Sequence, residues 1–206
     1  MKVDILDIGS GNIRSVRNWI EKSHVSTRIV TCPEDIQSEM LVLPGVGSAG
    51  SYMQRMKAGH FDKAVKEHVK QGRRLMGICL GFQLMMEHSE EDGHVEGLGL
   101  LSGHVERLPS AISHNGWESL SFHRHEMNGQ RFGSRHQLTQ KRIFDGRVFY
   151  NHEYGVFSQD DAVFALPVSH ALEQYSGLLV KDNIIGIQFH PEKSQVSGTD
   201  LINMIL

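Results

Sequence analysis

Short β-branched runs alternate with amphipathic stretches through the first half of the chain, and this alternation narrows the fold more than any other feature. The run 3–8 (VDILDI) reads as a buried strand. Gly9, Gly11 and Asn12 punctuate it before a helical pattern of Ile13, Val16 and Ile20, with Trp19 beside it. Further strands are expected at 26–30, 40–45 and 74–79, and the segment 51–72 reads as one or two helices closed by Gly72. Strands and helices at these spacings predict an α/β fold, a mostly parallel central sheet flanked by helices on both faces. Ligands in such sheets bind at the carboxyl ends of the strands, where the loops gather.

After Glu87 the texture changes. From Gly97 to Phe157 turn residues recur every few positions, and runs such as 98–108 and 146–157 suit antiparallel strands better than crossovers. A last strand is expected at 184–189, followed by a C-terminal helix over 198–206. No repeat, low-complexity tract or linker interrupts the 206 residues, so the reading is one domain over 1–206. Apolar residues at 39% and charged residues at 22% suit a chain that buries a core rather than a disordered one. The net charge of −3 and the lack of a basic stripe argue against a nucleic-acid partner. No apolar run approaches the roughly 18 residues that cross a bilayer. Asp4 and Asp7 interrupt what a signal peptide would need as an unbroken apolar region, so a cytoplasmic, non-membrane protein is expected. Cys32 and Cys79 are too few for a disulfide framework.

Chemistry concentrates at Gly77-Ile78-Cys79-Leu80-Gly81, at the junction between the fourth strand and a helix expected to begin near Phe82. A nucleophile on a tight strand-to-helix turn needs small neighbours because its backbone is strained and other elements come close. Free N–H groups at the helix start favour thiolate, and the N–H of Leu80 can point at an oxyanion. A buried structural cysteine with glycines kept for packing would look the same locally. Near the C-terminus, Gln188-Phe189-His190-Pro191-Glu192 follows a strand, which places His190 at the same sheet edge as Cys79 if the two strands run parallel. A Cys nucleophile needs a base, and the base needs a carboxylate to hold its tautomer; Cys79, His190 and Glu192 supply the set.

The segments 77–83 and 190–192 resemble the two signatures of class I, triad-type glutamine amidotransferases, which hydrolyse glutamine and hand the ammonia to a synthase. The segments 5–16, 43–48, 114–119, 149–154 and 188–195 are similar to those of the glutaminase subunits of imidazole glycerol phosphate synthases, in order and over nearly the whole chain. The resemblance implies attack by Cys79 on the side-chain amide carbon of L-glutamine, His190 as general acid and base, and Glu192 orienting it. It implies that Gly45, Val46 and Gly47 supply backbone donors to the oxyanion hole beside Leu80, and that Gln83 helps hold the substrate. His152, Glu153 and Tyr154 match a segment that lines the pocket. Lys193 matches a contact with a (β/α)8-barrel cyclase partner in a heterodimer, and Trp117 belongs to the same partner-facing surface. No cofactor or metal is implied.

Several residues depart from the family pattern. Ser113, Asn115 and Glu118 stand where the family usually has Pro, Met and Asn, and Glu153 replaces Ser or Thr. The stretch 123–146 is longer than usual. These departures fall on surfaces that face the synthase and leave open a related glutaminase that feeds another amidotransferase, such as a nucleotide-sugar enzyme. A catalytically silent regulatory or binding subunit is disfavoured because all of Cys79, His190 and Glu192 are kept. His123 and His125 lack the helical spacing and further ligands of a zinc site. The segment 9–15 lacks the third glycine of a dinucleotide loop and the Gly-Lys-Ser/Thr of a phosphate loop.

Overall fold

The computed structural model describes residues 1–109, 114–127, 143–160 and 164–206. The first half runs β1 (Lys2–Leu6), α1 (Ile13–Glu21), β2 (Ser26–Val30), β3 (Met40–Leu43), α2 (Ala49–Ala58), α3 (Phe61–Lys70), β4 (Arg74–Ile78) and α4 (Leu80–Gln83). Short strands β5 (His88–Ser89) and β6 (Val95–Glu96) lead into β7 (Gly103–Arg107), β8 (His114–His123), β9 (Ile143–His152) and β10 (Tyr154–Ser158). The chain closes with β11 (Phe164–Pro167), β12 (Ser176–Lys181), β13 (Ile184–Ile187) and α5 (Gln195–Ile205).

The central sheet has the order β11-β12-β13-β4-β3-β1-β2. Its five strands from β13 to β2 are mutually parallel, and β12 and β11 extend it antiparallel. Met40–Leu43 is buried along its whole length, as befits a parallel strand covered on both faces. One apolar cluster lies beneath α1, α5 and the β8–β9 ribbon, and a second lies beneath α2, α3 and α4. Asp4 is fully buried within β1, yet it accepts from Arg28 Nε at 2.9 Å, from the Gln37 and Ser38 amides at 2.9 and 2.8 Å, and from Ser38 Oγ at 2.8 Å. Burial raises its carboxyl, but Arg28 and these donors outweigh that and hold it below the usual carboxylate range.

The parallel half follows the sequence closely, with small shifts at element ends. The helix after Cys79 begins at Leu80 rather than near Phe82, because Cys79 itself serves as the N-cap. Strands β11 and β12 lie where no strand was expected. Leu178, Leu179 and Val180 form a continuous apolar run in β12, and short apolar runs carry no periodicity that separates strand from helix. The expected antiparallel section divides into a four-stranded sheet, β10-β7-β5-β6, and a two-stranded ribbon, β8-β9. Run 146–157 bends at Glu153 and serves both. Ser113 and most of the long 123–146 stretch lie outside the described residues. Among the described residues, no helix is long and apolar enough to cross a membrane.

Candidate active site

Three neighbouring parallel strands end at one edge of the sheet. In register, Leu43 pairs with Gly77 and Ile78 with Ile187. The residues following β3, β4 and β13 therefore meet: Pro44-Gly45-Val46-Gly47, Cys79, and Gln188-Phe189-His190. Their meeting point lies at the carboxyl ends of the strands, where the fold class places ligands.

Cys79 sits in a sharp elbow with φ +52° and ψ −112°, a conformation that a non-glycine residue adopts only when its surroundings hold it there. Its N–H donates to the Ile187 carbonyl at 2.7 Å, and its carbonyl accepts from Phe82 and Gln83. Both flanking glycines are sterically required. A Cβ on Gly77 would stand 2.7 Å from Phe82 Cα and one on Gly81 1.9 Å from the Leu43 carbonyl oxygen, and in the neighbouring loop one on Gly45 would stand 2.3 Å from the Gly81 nitrogen. Leu80 opens α4, so its N–H has no acceptor within that helix and is available at the pocket floor.

His190 Nδ1 donates to Glu192 Oε1 at 2.8 Å, with both side chains almost fully buried. Pro191 starts a 3-10 turn over Pro191–Lys193 that brings the pair together. Burial alone would pull His190 down, but its hydrogen bond to Cys79, then that to Glu192, push it up to about 9. An imidazolium between a sulfur and a carboxylate is the state this arrangement favours. The His190 backbone is fixed from the ribbon, its N–H donating to the Phe149 carbonyl at 2.8 Å and its carbonyl accepting from Ser194 Oγ at 2.7 Å.

Around these groups lies a cleft of about 390 Å³ lined by Val46, Gly47, Cys79, Leu80, Gln83, Glu91, Asn151, His152, Glu153, Tyr154, His190 and Lys193. All the residues singled out by sequence for the site line it except Gly45, whose backbone packs against Gly81, Glu192, which stands behind His190, and Trp117. The loop 44–47 is tied down twice: Tyr52 donates its hydroxyl proton to the Pro44 carbonyl, and Ser10 Oγ donates to the Val46 carbonyl, both at 2.8 Å. Gln83 donates from Nε2 to the Tyr154 carbonyl at 2.8 Å and to Gln188 Oε1 at 3.1 Å. Glu153 is largely exposed and points a carboxylate oxygen at Arg107, 3.5 Å away.

Trp117 lies outside the cleft, on the ribbon surface. Its ring meets Phe149 edge-on at 5.6 Å, Arg147 stands over it at 6.0 Å, and Lys193 stands over Phe149 at 5.7 Å. These four side chains join the cleft rim to an exposed aromatic and cationic patch.

Sequence reasoning missed three contributors. Gln188 Nε2 donates toward Cys79 Sγ at 3.7 Å. Glu91 lines the cleft and caps α2 through the Ala49 N–H at 3.0 Å; burial raises its carboxyl above the ordinary value. Asn151 completes the wall. The acidic run 90–92 reads locally as a solvated turn, and no local signal marks Glu91. Gln188 stood inside the matched segment 188–195, and a polar residue in an otherwise apolar strand run was the available clue. Among the described residues, no three His, Cys, Asp or Glu side chains converge as metal ligands.

Residues 4–204 match the family model for glutamine amidotransferase class-I, and the chain belongs to that family. Within it, the chain is 34% identical to the imidazole glycerol phosphate synthase subunit HisH of Syntrophotalea carbinolica, with 96% of each protein covered. It is 35% identical to HisH of Halalkalibacterium halodurans, over 96% of this chain and 92% of that protein. The imidazole glycerol phosphate synthase hisHF of Emericella nidulans matches at 31% identity over 99% of this chain and 37% of its own length. A glutamine amidotransferase crystal structure superposes with a TM-score of 0.74 at 16% identity, covering 98% and 96% of the two chains, which shows the shared fold.

Proposed function

We propose that this chain is the glutaminase subunit of an imidazole glycerol phosphate synthase. In this reading, one amidotransferase domain over 1–206 hydrolyses L-glutamine and passes ammonia to a (β/α)8-barrel cyclase in histidine biosynthesis, within the cytoplasm. The observation that carries the chemistry is the His190–Glu192 bond of 2.8 Å behind a cysteine held in a strained elbow. The full-length similarity to HisH proteins supports the choice of synthase. The one-chain hisHF protein supports a stable pairing with the cyclase.

The thiolate of Cys79 attacks the side-chain amide carbon, and the carbonyl oxygen takes the negative charge. The Leu80 N–H and a donor from 45–47 face that oxygen. His190 passes a proton to the departing nitrogen, which leaves as ammonia, and a glutamyl thioester remains on Cys79. Water then gives a proton to His190 and adds to the thioester carbon; collapse returns the thiolate and releases glutamate. Glu91 supplies a carboxylate for the substrate's ammonium, and Gln83 an amide for its polar end. Lys193 and Trp117 face the barrel.

The test is glutamine hydrolysis by this chain with a barrel subunit, followed as glutamate formed and as imidazole glycerol phosphate made without added ammonia. Cys79→Ala removes both activities and keeps ammonia-dependent synthesis by the partner. Glutamine turnover that survives Cys79→Ala refutes the assignment.

A further inference from the structure

His152 belongs to a hydrogen-bonded chain whose proton positions follow from its ends. Its Nδ1 lies 2.7 Å from the Tyr154 carbonyl oxygen, which accepts only, so Nδ1 carries a proton. Burial first, then repulsion from His114 and His190, outweigh the Tyr154 bond and pull His152 down to about 4. The ring is neutral, and its Nε2 is a bare acceptor. His114 Nδ1, 3.0 Å from that Nε2, therefore has to donate. His114 Nε2 lies 3.1 Å from Glu118 Oε1, and a carboxylate also accepts only, so this nitrogen donates too.

We infer that His114 is a buried imidazolium held by Glu118, and that it is a positioning residue for the glutamine pocket, fixing the tautomer and ring orientation of His152. Around it stand the Glu118 carboxylate, the neutral His152 ring and the Tyr150 ring, whose centroid is 4.7 Å away. Glu118 is one of the positions where the chain departs from the family pattern. An amide there can donate to Nε2 and leave His114 neutral, whereas the carboxylate charges it.

The order imposed on His152 reaches the substrate site. The Tyr154 carbonyl takes one donor from His152 and one from Gln83, at 2.7 and 2.8 Å. Gln83 gives its other amide hydrogen to Gln188, so both hydrogens are committed and its carbonyl oxygen is left to accept from a substrate donor. Losing the His114 donor frees the His152 ring to turn and unsettles this arrangement at its shared carbonyl. The effect falls on binding of glutamine more than on attack by Cys79. The inference rests on the glutaminase reading above.

The test uses the full chain with histidine ring nitrogens labelled for NMR, and inactivation at Cys79 by the glutamine analogue 6-diazo-5-oxo-L-norleucine. His114→Phe identifies the His114 signals. At about pH 7.5 the wild type should show two protonated ring nitrogens on His114, and Glu118→Gln one. His114→Phe should weaken the inhibition constant about tenfold, the worth of a buried hydrogen bond, while the limiting inactivation rate stays within about twofold. Glu118→Gln, which can still donate to the ring, should weaken it less. A bare nitrogen on wild-type His114, or an unaltered inhibition constant in His114→Phe, overturns the inference. Failure of the analogue to label wild-type Cys79 instead overturns the glutaminase reading, so the two failures are distinct.

Discussion

Gly81 packs so tightly beneath Leu43 that a Cβ on it would stand 1.9 Å from the Leu43 carbonyl oxygen. That oxygen belongs to backbone and cannot swing aside. Gly81→Ala is therefore expected to push α4 away from β3 and cost roughly 1–3 kcal/mol or more, read from the denaturant midpoint. It should also lower glutamine turnover, since the same contact sets the loop 44–47 against the elbow. Gly116→Ala, where a Cβ meets nothing within 4 Å, is the control and should stay within about 0.5 kcal/mol.

His190→Asn should reduce the glutaminase rate about 100-fold or more, the usual loss for a general acid and base. Glu192→Gln should cost less, because an amide oxygen can still accept from Nδ1 at the 2.8 Å position. If the two act as one unit, the double variant is scarcely slower than His190→Asn alone. Fully additive losses, measured by glutamate release, would show that Glu192 acts elsewhere.

Two histidines give native stability opposite dependences on pH. His190, raised to about 9, contributes stability that is complete below its unfolded value near 6.5 and lost as pH rises through about 9. His152, lowered to about 4, stays neutral while the unfolded chain takes up a proton, so stability falls as pH drops from about 6.5 towards 4. Thermal unfolding across this range should show His190→Asn flattening the alkaline limb and His152→Asn flattening the acid limb. An acid limb unchanged by His152→Asn would contradict the second assignment.

Lys193 stands over Phe149 at the cleft rim, beside Trp117 and Arg147. Lys193→Glu should weaken the complex with the barrel subunit, chiefly by slowing association and with a marked dependence on salt. Labelling of Cys79 in the free chain should change little by comparison. Binding measured by surface plasmon resonance that is unmoved by this reversal would place the partner elsewhere.

The parallel half of the fold was legible because its strands read as short apolar or β-branched runs separated by helical patterns, and β2 falls on 26–30 as read. Cys79 and His190 were legible for a related reason: an elbow and a strand end each carry a local residue pattern. Glu91 was not, because its place in the cleft depends on its contact with the Ala49 N–H, 42 positions earlier in the chain. The relay from Glu118 through His114 to His152 depends in the same way on the ribbon register, which pairs His114 with His152. Strand β12 escaped notice because its burial comes from central-sheet neighbours that no local pattern announces.

Which of the two thiols reacts with a glutamine analogue tests a glutamine-hydrolysing site at Cys79 most directly. Cys79 lies in the cleft with His190, whereas Cys32 is exposed between Thr31 and Pro33 with no such partner among the groups described. Peptide mass spectrometry after treatment with 6-diazo-5-oxo-L-norleucine should find one equivalent on Cys79 and none on Cys32, with protection by glutamine and slower labelling in His190→Asn. Label confined to Cys32, or Cys79 labelling that glutamine does not slow, would contradict a glutamine-hydrolysing site at the ends of β3, β4 and β13.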